Sequence, residues 1–433
     1  MDRNNGATVL VLGSGRQVYR EYLMRGLAER AALWLLSEQP PTWERPLIAG
    51  STVCAPLDHE RPVPDQAGLL AAAFRVAADR KVAGVVTYDE VFVIVAARLA
   101  EALGVPGLSV AGARNCRDKR RSREALSAAG LPQPGFAFVT TLEDASRAAE
   151  NLGYPVVLKP RGMGASIGVV KVAAPDELAA AFAVTERARR AGPPDFEDGI
   201  LVEELVEGPE ISVDAVLSGG TYQPFCLARK RLGHPPFFEE TGHRVDAADP
   251  LAADPRLRRV LASAHDALGV ADGITHTEVR LTARGPVVIE VNARLGGDLI
   301  PYLGMLATGV NPGRAAADAA TGADPDLTPR ATQCAGIRFL YPPADCRVAD
   351  ISLAGSRGVP GVLAARAMVA PGDIVRLPPR AHLGRYAYLI AVADNPAACE
   401  KTLDEASALA RLRYEPEASG GQPRGCAAIE ENI

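Results

Sequence analysis

Two rhythms of apolar residues organise the chain. At its start, short unbroken apolar runs alternate with stretches of helical periodicity. Thr8 to Leu12 enters a Gly13-Ser14-Gly15 turn, followed by a predicted helix from Val18 to Arg30, a strand from Ala31 to Leu36 and an apolar patch near Ser51 to Ala55. A helix from Asp65 to Arg80 and a strand from Val82 to Tyr88 come next. Such runs, separated by helices, predict a parallel α/β sheet. Gly13-Ser14-Gly15 does not complete Gly-x-Gly-x-x-Gly, so it reads as an ordinary strand-to-helix turn and not as a dinucleotide site. Later the rhythm becomes alternation: Thr277 to Thr282 and Pro286 to Asn292, rich in β-branched residues, flank Ala283-Arg284-Gly285 and predict a hairpin.

Period-two geometry places Glu290, Asn292 and Arg294 on one face of the second hairpin strand, and a hairpin register can set Glu278 opposite Glu290. Two carboxylates and an amide oxygen form a hard donor set that suits Mg²⁺ or Mn²⁺ bridging phosphates better than Zn²⁺. An exposed hairpin with solvated carboxylates has the same pattern, so the hairpin alone leaves both readings open. Upstream, Val156 to Lys159 is an apolar strand ending in a lysine, followed by Pro160-Arg161-Gly162-Met163-Gly164-Ala165-Ser166-Ile167-Gly168 and a returning strand. The glycines leave backbone N–H groups, those of Gly164, Ala165 and Ser166 among them, to surround phosphate oxygens, while Lys159 brings charge to the same anion. No Gly-Lys-Ser/Thr follows, so this is not a Walker loop.

Other segments admit a bland and a functional reading. Asp89 and Glu90 follow the Val82 strand where open α/β sheets place ligand groups; Asp89 reads as a helix cap and Glu90 as a substrate contact able to hold an ammonium group. Arg117 to Gly130 opens with five basic residues in seven and predicts a helix with a solvated basic face. Ile200 to Val216 is an apolar run broken at Val206-Glu207-Gly208-Pro209, where exposed backbone groups could pair with an adenine edge or simply turn a hairpin. Phe237 to Arg244 reads as a polar-aromatic surface loop. Helices are predicted from Asp254 to Leu268, Asn311 to Gly322 and Asn395 to Leu412, with a β-rich stretch before the last and a frayed tail from Glu417.

A strand ending in Lys159, a glycine-rich turn and a later hairpin with Glu278 and Glu290-Val-Asn292-Ala-Arg294 stand in the order found in the ATP-grasp superfamily, which the chain resembles over nearly its whole length. The resemblance implies an α/β (α+β) ATP-grasp fold. A Rossmann-like N-terminal domain would span 1–114, a small lobe with the glycine-rich loop 115–205, a large lobe with the hairpin 206–325, and a C-terminal β-rich cap 326–433. It also implies that Lys119 and Lys159 reach nucleotide phosphates, that Glu203, Glu204 and Val206 line the adenine, and that Glu210 accepts from ribose hydroxyls. His276 in His-Thr-Glu, the Asn-Ala-Arg-Leu-Gly-Gly-Asp sequence and the Phe237 segment look most like bacterial L-amino-acid ligases of the bacilysin-synthetase type. That branch implies that Arg294, helped by amides near Gly297, grips a substrate carboxylate or acyl phosphate, and that His276 lies by the second amino acid. Such ligases are commonly dimers.

Composition narrows this by exclusion. At 433 residues the chain suggests two or three domains, and 48% hydrophobic with 23% charged residues is a globular balance. A net charge of −5 with both signs interspersed gives no evident nucleic-acid or membrane partner. The seven cysteines (Cys54, Cys116, Cys226, Cys334, Cys346, Cys399, Cys426) include no Cys-x-x-Cys and predict reduced thiols. Met1 to Gly6 lacks the basic start of a signal peptide and no run reaches membrane-spanning length, so the expectation is a cytoplasmic protein. The function expected is an ATP- and Mg²⁺-dependent carboxylate–amine ligase joining amino acids through an acyl phosphate, in specialised metabolism. Alternatives are a carboxylase or purine-biosynthetic ligase, against which the lack of a biotin-type Met-Lys-Met counts, and an ATP-binding regulatory protein without chemistry, against which the intact Glu278, Glu290, Asn292 and Arg294 count.

Overall fold

The computed structural model describes residues 7–54, 65–196 and 198–417. Ala55 of the apolar patch and the tail from 418 lie outside them. Thr8–Leu12 is buried at every position because it forms the interior of a parallel sheet, with Ala32–Ser37 on one side, Val82–Val86 on the other and Gly50–Val53 outermost. The connecting helices Gln17–Ala28, Gln66–Asp79 and Val93–Leu103 pack on it. The carboxyl ends of two neighbouring strands thus deliver Gly13 to Gly15 and Asp89 with Glu90 to one edge. Asp89 Oδ1 accepts from the Val91 N–H at 3.3 Å, as a cap should.

A second, antiparallel sheet runs in the order Phe136–Val139, Ile200–Glu204, Val156–Pro160, Val170–Val172. Helices Leu142–Leu152 and Leu178–Ala191 cover it through Ala145, Ala149 and Leu178. The apolar run from Ile200 does break as expected. Its first half belongs to this small sheet, and its second, Glu210–Ser218, belongs to a sheet of eight strands. There the order is Gly285–Asn292, Gly273–Thr282, Glu210–Ser218, Thr221–Gly233, Glu239–Asp246, Cys334–Leu340, Ala387–Ala393, Val362–Ala367. The β-rich C-terminal stretch therefore extends the large sheet, and it adds a three-stranded one with Cys346–Ser352 at its centre.

The structure overturns three local expectations. Glu239–Asp246 is an interior strand of the large sheet and not a surface loop; its Glu239 and His243 are buried because Tyr341, His382 and Asp298 supply partners that the local sequence does not contain. The basic helix forms as Lys119–Ala128, started by Asp118, whose side chain accepts from the Arg120 and Arg121 N–H groups, but its basic face is not solvated: Lys119 and Arg123 are buried, and Arg117, also buried, ends a preceding helix, Val110–Arg117. The helix after Asn395 stops at Leu409, and Arg411–Pro416 is a strand. Six cysteines among the described residues are free thiols. No helix among them is long and apolar enough to cross a membrane.

Candidate active site

A cleft of about 720 Å³ opens where the parallel, the small antiparallel and the eight-stranded sheets meet, and every residue singled out for the site from the sequence lines it. On the small-sheet side Lys159 extends to Glu203 Oε2 at 2.8 Å on the neighbouring strand, and Arg123 grips the same carboxylate at 2.7 and 3.2 Å. Burial works to raise the Glu203 pKa, but Arg123 and Lys159 outweigh it and hold it at about 2. Glu203 thus anchors two cations. Glu204 turns away to accept from the Gly135 N–H at 3.1 Å and to pair with Arg284 at 2.7 Å. Val206, at the strand break, is buried at the cleft wall.

The glycine-rich loop bends through two left-handed non-glycine residues, Ala165 (φ 52°) and Ser166 (φ 57°). Each costs about 1–2 kcal/mol, so the surroundings must hold the turn. One brace comes from far along the chain: the Gly168 N–H donates to His382 Nε2 at 3.3 Å, and His382 Nδ1 meets Glu239 at 3.0 Å. Lys119, the first residue of its helix, reaches across to Glu290 Oε1 at 3.0 Å.

The hairpin register is the predicted one. Glu278 pairs with Glu290 and His276 with Asn292, which sets the two carboxylates and the amide on one face. Lys230, which the sequence reading missed, contacts Glu278 two strands away at 2.7 Å, and Glu210 and Glu240 on its neighbouring strands at 3.0 and 2.5 Å. Burial raises the Glu278 pKa, but Lys230 and His276 overcome it and hold the carboxyl well below its usual range. The one signal for Lys230 was a lysine inside the otherwise strand-like Phe225 to Leu232 run. Glu210 also pairs with Arg280 at 2.7 Å. His276 Nδ1 lies 2.7 Å from Asp214 Oδ1, which accepts from the Gly296 N–H at 3.1 Å as well. Burial lowers the His276 pKa; Asp214 and Glu278 more than reverse this and place it at about 9, so the ring is a cation at neutral pH.

Arg294 and Glu90 meet at 2.6 Å, and Arg117 joins the same carboxylate at 3.3 Å. The pair links the hairpin's end to the edge of the parallel sheet. Arg117 also donates to the carbonyl of Gly162 at 2.9 Å, tying that edge to the glycine-rich loop. Gly297 lines the cleft beside Asp298, whose carboxylate Arg385 holds at 2.6 and 2.8 Å.

The donor chemistry fits a hard divalent cation. Glu278, Glu290 and Asn292 offer only oxygens, converge through the hairpin register, and face two lysines that balance their charge. The arrangement can hold polyphosphate and a cation on one side and a substrate carboxylate near Arg294 on the other.

Comparison with known proteins bears on family and fold. The ATP-grasp domain model matches residues 152–302, the ATP-grasp N-terminal domain model 44–107, and the L-amino acid ligase C-terminal domain 2 model 338–415. Alanine–anticapsin ligase of Bacillus subtilis (strain 168) is 30% identical over 239 residues, 51% of this chain and 50% of that protein. The match thus spans about half the length of that ligase. The uncharacterized protein y4rH of Sinorhizobium fredii is 30% identical over 335 residues, 75% of this chain and 67% of the relative. The crystal structure of an L-amino acid ligase from Bacillus licheniformis superposes with a TM-score of 0.76 at 23% identity, covering 95% of this chain and 99% of that one. At that identity the likeness is one of fold.

Proposed function

Because the chain belongs to the ATP-grasp superfamily, we propose that it is an ATP-dependent carboxylate–amine ligase that joins amino acids through an acyl phosphate. The observation that carries this reading is the meeting of Lys119, the glycine-rich loop, the Glu278/Glu290 pair and Arg294 in one cleft. The relatives point the same way: one is named a ligase of alanine and anticapsin. On this reading the lobes divide as 1–114, 115–205, 206–325 and 326–433.

The substrate carboxylate oxygen attacks the γ-phosphorus of ATP, ADP leaves, and the acyl phosphate forms. An amine nitrogen then bonds to the acyl carbon, phosphate leaves with its electron pair, and the amine proton passes to phosphate or water. Lys159, fixed by Glu203, and Lys119 orient the phosphates, and the Gly164 to Ser166 amides face their oxygens. Glu278, Glu290 and Asn292 would hold Mg²⁺, which neutralises charge on the transferring phosphoryl group. Arg294, oriented by Glu90, faces the charge that develops at the acyl centre. The braced glycine-rich loop excludes water that would hydrolyse the intermediate.

ADP release with Mg²⁺-ATP and the twenty amino acids, singly and in pairs, tests this. The expected result is pair-dependent release with a product equal in mass to both amino acids less water. ATP binding without release for any pair overturns the amino-acid part of the proposal.

A further inference from the structure

Arg20 sits in the first helix, just after the Gly13-Ser14-Gly15 turn, is 6% exposed and lines the cleft. Its stem passes over Gly15, where a Cβ would lie 3.0 Å from Arg20 Cγ. The guanidinium stacks 5.6 Å from the centre of the Tyr88 ring, and its hydrogen bond is a long one, 3.4 Å to the Tyr88 carbonyl. The cleft's other buried arginines, Arg294 and Arg117, share Glu90, and the buried arginines behind its wall are paired too, Arg123 with Glu203 and Arg385 with Asp298. Among the described residues no carboxylate oxygen lies within 4.0 Å of the Arg20 guanidinium. The acids on its own wall are engaged elsewhere. Asp89 caps at Val91, and Glu44 accepts from the Ser14 hydroxyl and the Thr42 N–H.

A buried guanidinium without an anion is costly to keep. Burial, the largest influence, draws its pKa down from the ordinary arginine value; Arg294 repels it, and Asp89 attracts it only from beyond ion-pair distance. The energetic deficit sits on the wall of a cleft that admits ligand, so the missing anion is supplied from the cleft. A planar donor fork matches a carboxylate bidentately. Resting on the ligase reading for its chemistry, we propose that Arg20 is a substrate-binding residue for a second carboxylate, one other than the carboxylate that is activated. Two sources share that chemistry: the side chain of an acidic amino acid, and the α-carboxylate of the amine-bearing amino acid.

Calorimetric titration of the native chain, Arg20→Gln and Arg20→Lys, in the presence of Mg-ADP, tests it. The ligands are aspartate and glutamate against asparagine and glutamine, and neutral amino acids against their α-amides. Arg20→Gln is expected to weaken binding of the carboxylate-bearing member of one pair about 10- to 100-fold, to leave its amide counterpart unchanged, and to melt no lower than the native chain; Arg20→Lys should restore part of the affinity. Loss confined to the acidic amino acids identifies a side-chain carboxylate, and loss confined to free α-acids identifies the amine-bearing substrate. Equal affinities for native chain and Arg20→Gln, no binding of any carboxylate, or equal loss for acid and amide overturns the proposal. The readout needs no turnover. Arg20-dependent binding with no ADP release for any pair removes the ligase reading alone; pair-dependent release with Arg20→Gln indistinguishable from the native chain removes this inference alone.

Discussion

The Lys230 ammonium lies 2.7 Å from Glu278 Oε1, although one whole strand, Glu210–Ser218, separates the strands that carry them. Glu210 and Glu240 complete its coordination at 3.0 and 2.5 Å, and the lysine side chain is 1% exposed. One cation thereby holds together three acids on the cleft floor. Lys230→Met leaves them facing one another without a counter-charge, and stability should fall by about 3–5 kcal/mol, the usual result of removing one member of a buried ionic group. Mg²⁺ should recover more of that loss than it adds to the native chain. Urea unfolding with and without the cation measures both, and an unchanged midpoint sinks this account.

Glu203 carries the pH dependence at the acid end. Its folded pKa of about 2 lies below the ordinary 4.5, so its contribution is present above 4.5 and is lost as pH falls through about 2. The shift is worth about 3 kcal/mol. Glu203→Gln should therefore be much less stable than the native chain at neutral pH, with the gap closing progressively below pH 4.5. A gap independent of pH shows that the carboxylate's charge is not what matters there.

The hairpin, its register and the glycine-rich turn were legible in the sequence because each is local: alternation sets the face, and glycines mark the reversals. The break at 206–209 was legible for the same reason, as Gly208 and Pro209 interrupt an apolar run. Glu239–Asp246 was not, since its buried Glu239 is satisfied by Tyr341 and His382, 102 and 143 residues on. Local polarity pointed to a loop, and tertiary partners made it a strand. Lys230 and Arg20 were hidden differently. Nothing in an Arg-Lys-Arg strand or a helix's first turn states whether a cation is solvated, and only the packing of distant elements buries these two. Asp118 could have been found, because Asp followed by a helical run is an N-cap signal.

Glu290→Gln keeps the size of the side chain while removing charge from the pairing with Lys119 and from the oxygen set of the hairpin. If Glu278, Glu290 and Asn292 hold the cation, the Mg²⁺ concentration needed for half-maximal ADP release should rise at least about 10- to 100-fold. Turnover equal to the native rate at every Mg²⁺ concentration removes Glu290 from the metal site. Protection of the variant by ATP against thermal unfolding separates a lost cation from a lost nucleotide.

His276 and Asp214 set the behaviour at the alkaline end. The folded pKa of His276, about 9, lies above its ordinary 6.5, so the stability it contributes is full below 6.5 and fades as pH rises through about 9. Asp214 is the principal group holding the proton, with Glu278 assisting from the other nitrogen at 3.8 Å. Asp214→Asn leaves burial less opposed, and the His276 pKa should fall by about 1–3 units. The stability advantage of the native chain over the variant should shrink between pH 6.5 and 9 and be smallest above that range. NMR titration of the ring reads the pKa directly. An imidazole that titrates near 9 in both proteins would falsify the assignment to Asp214 and leave Glu278 as its source, in which case Glu278→Gln should lower it instead.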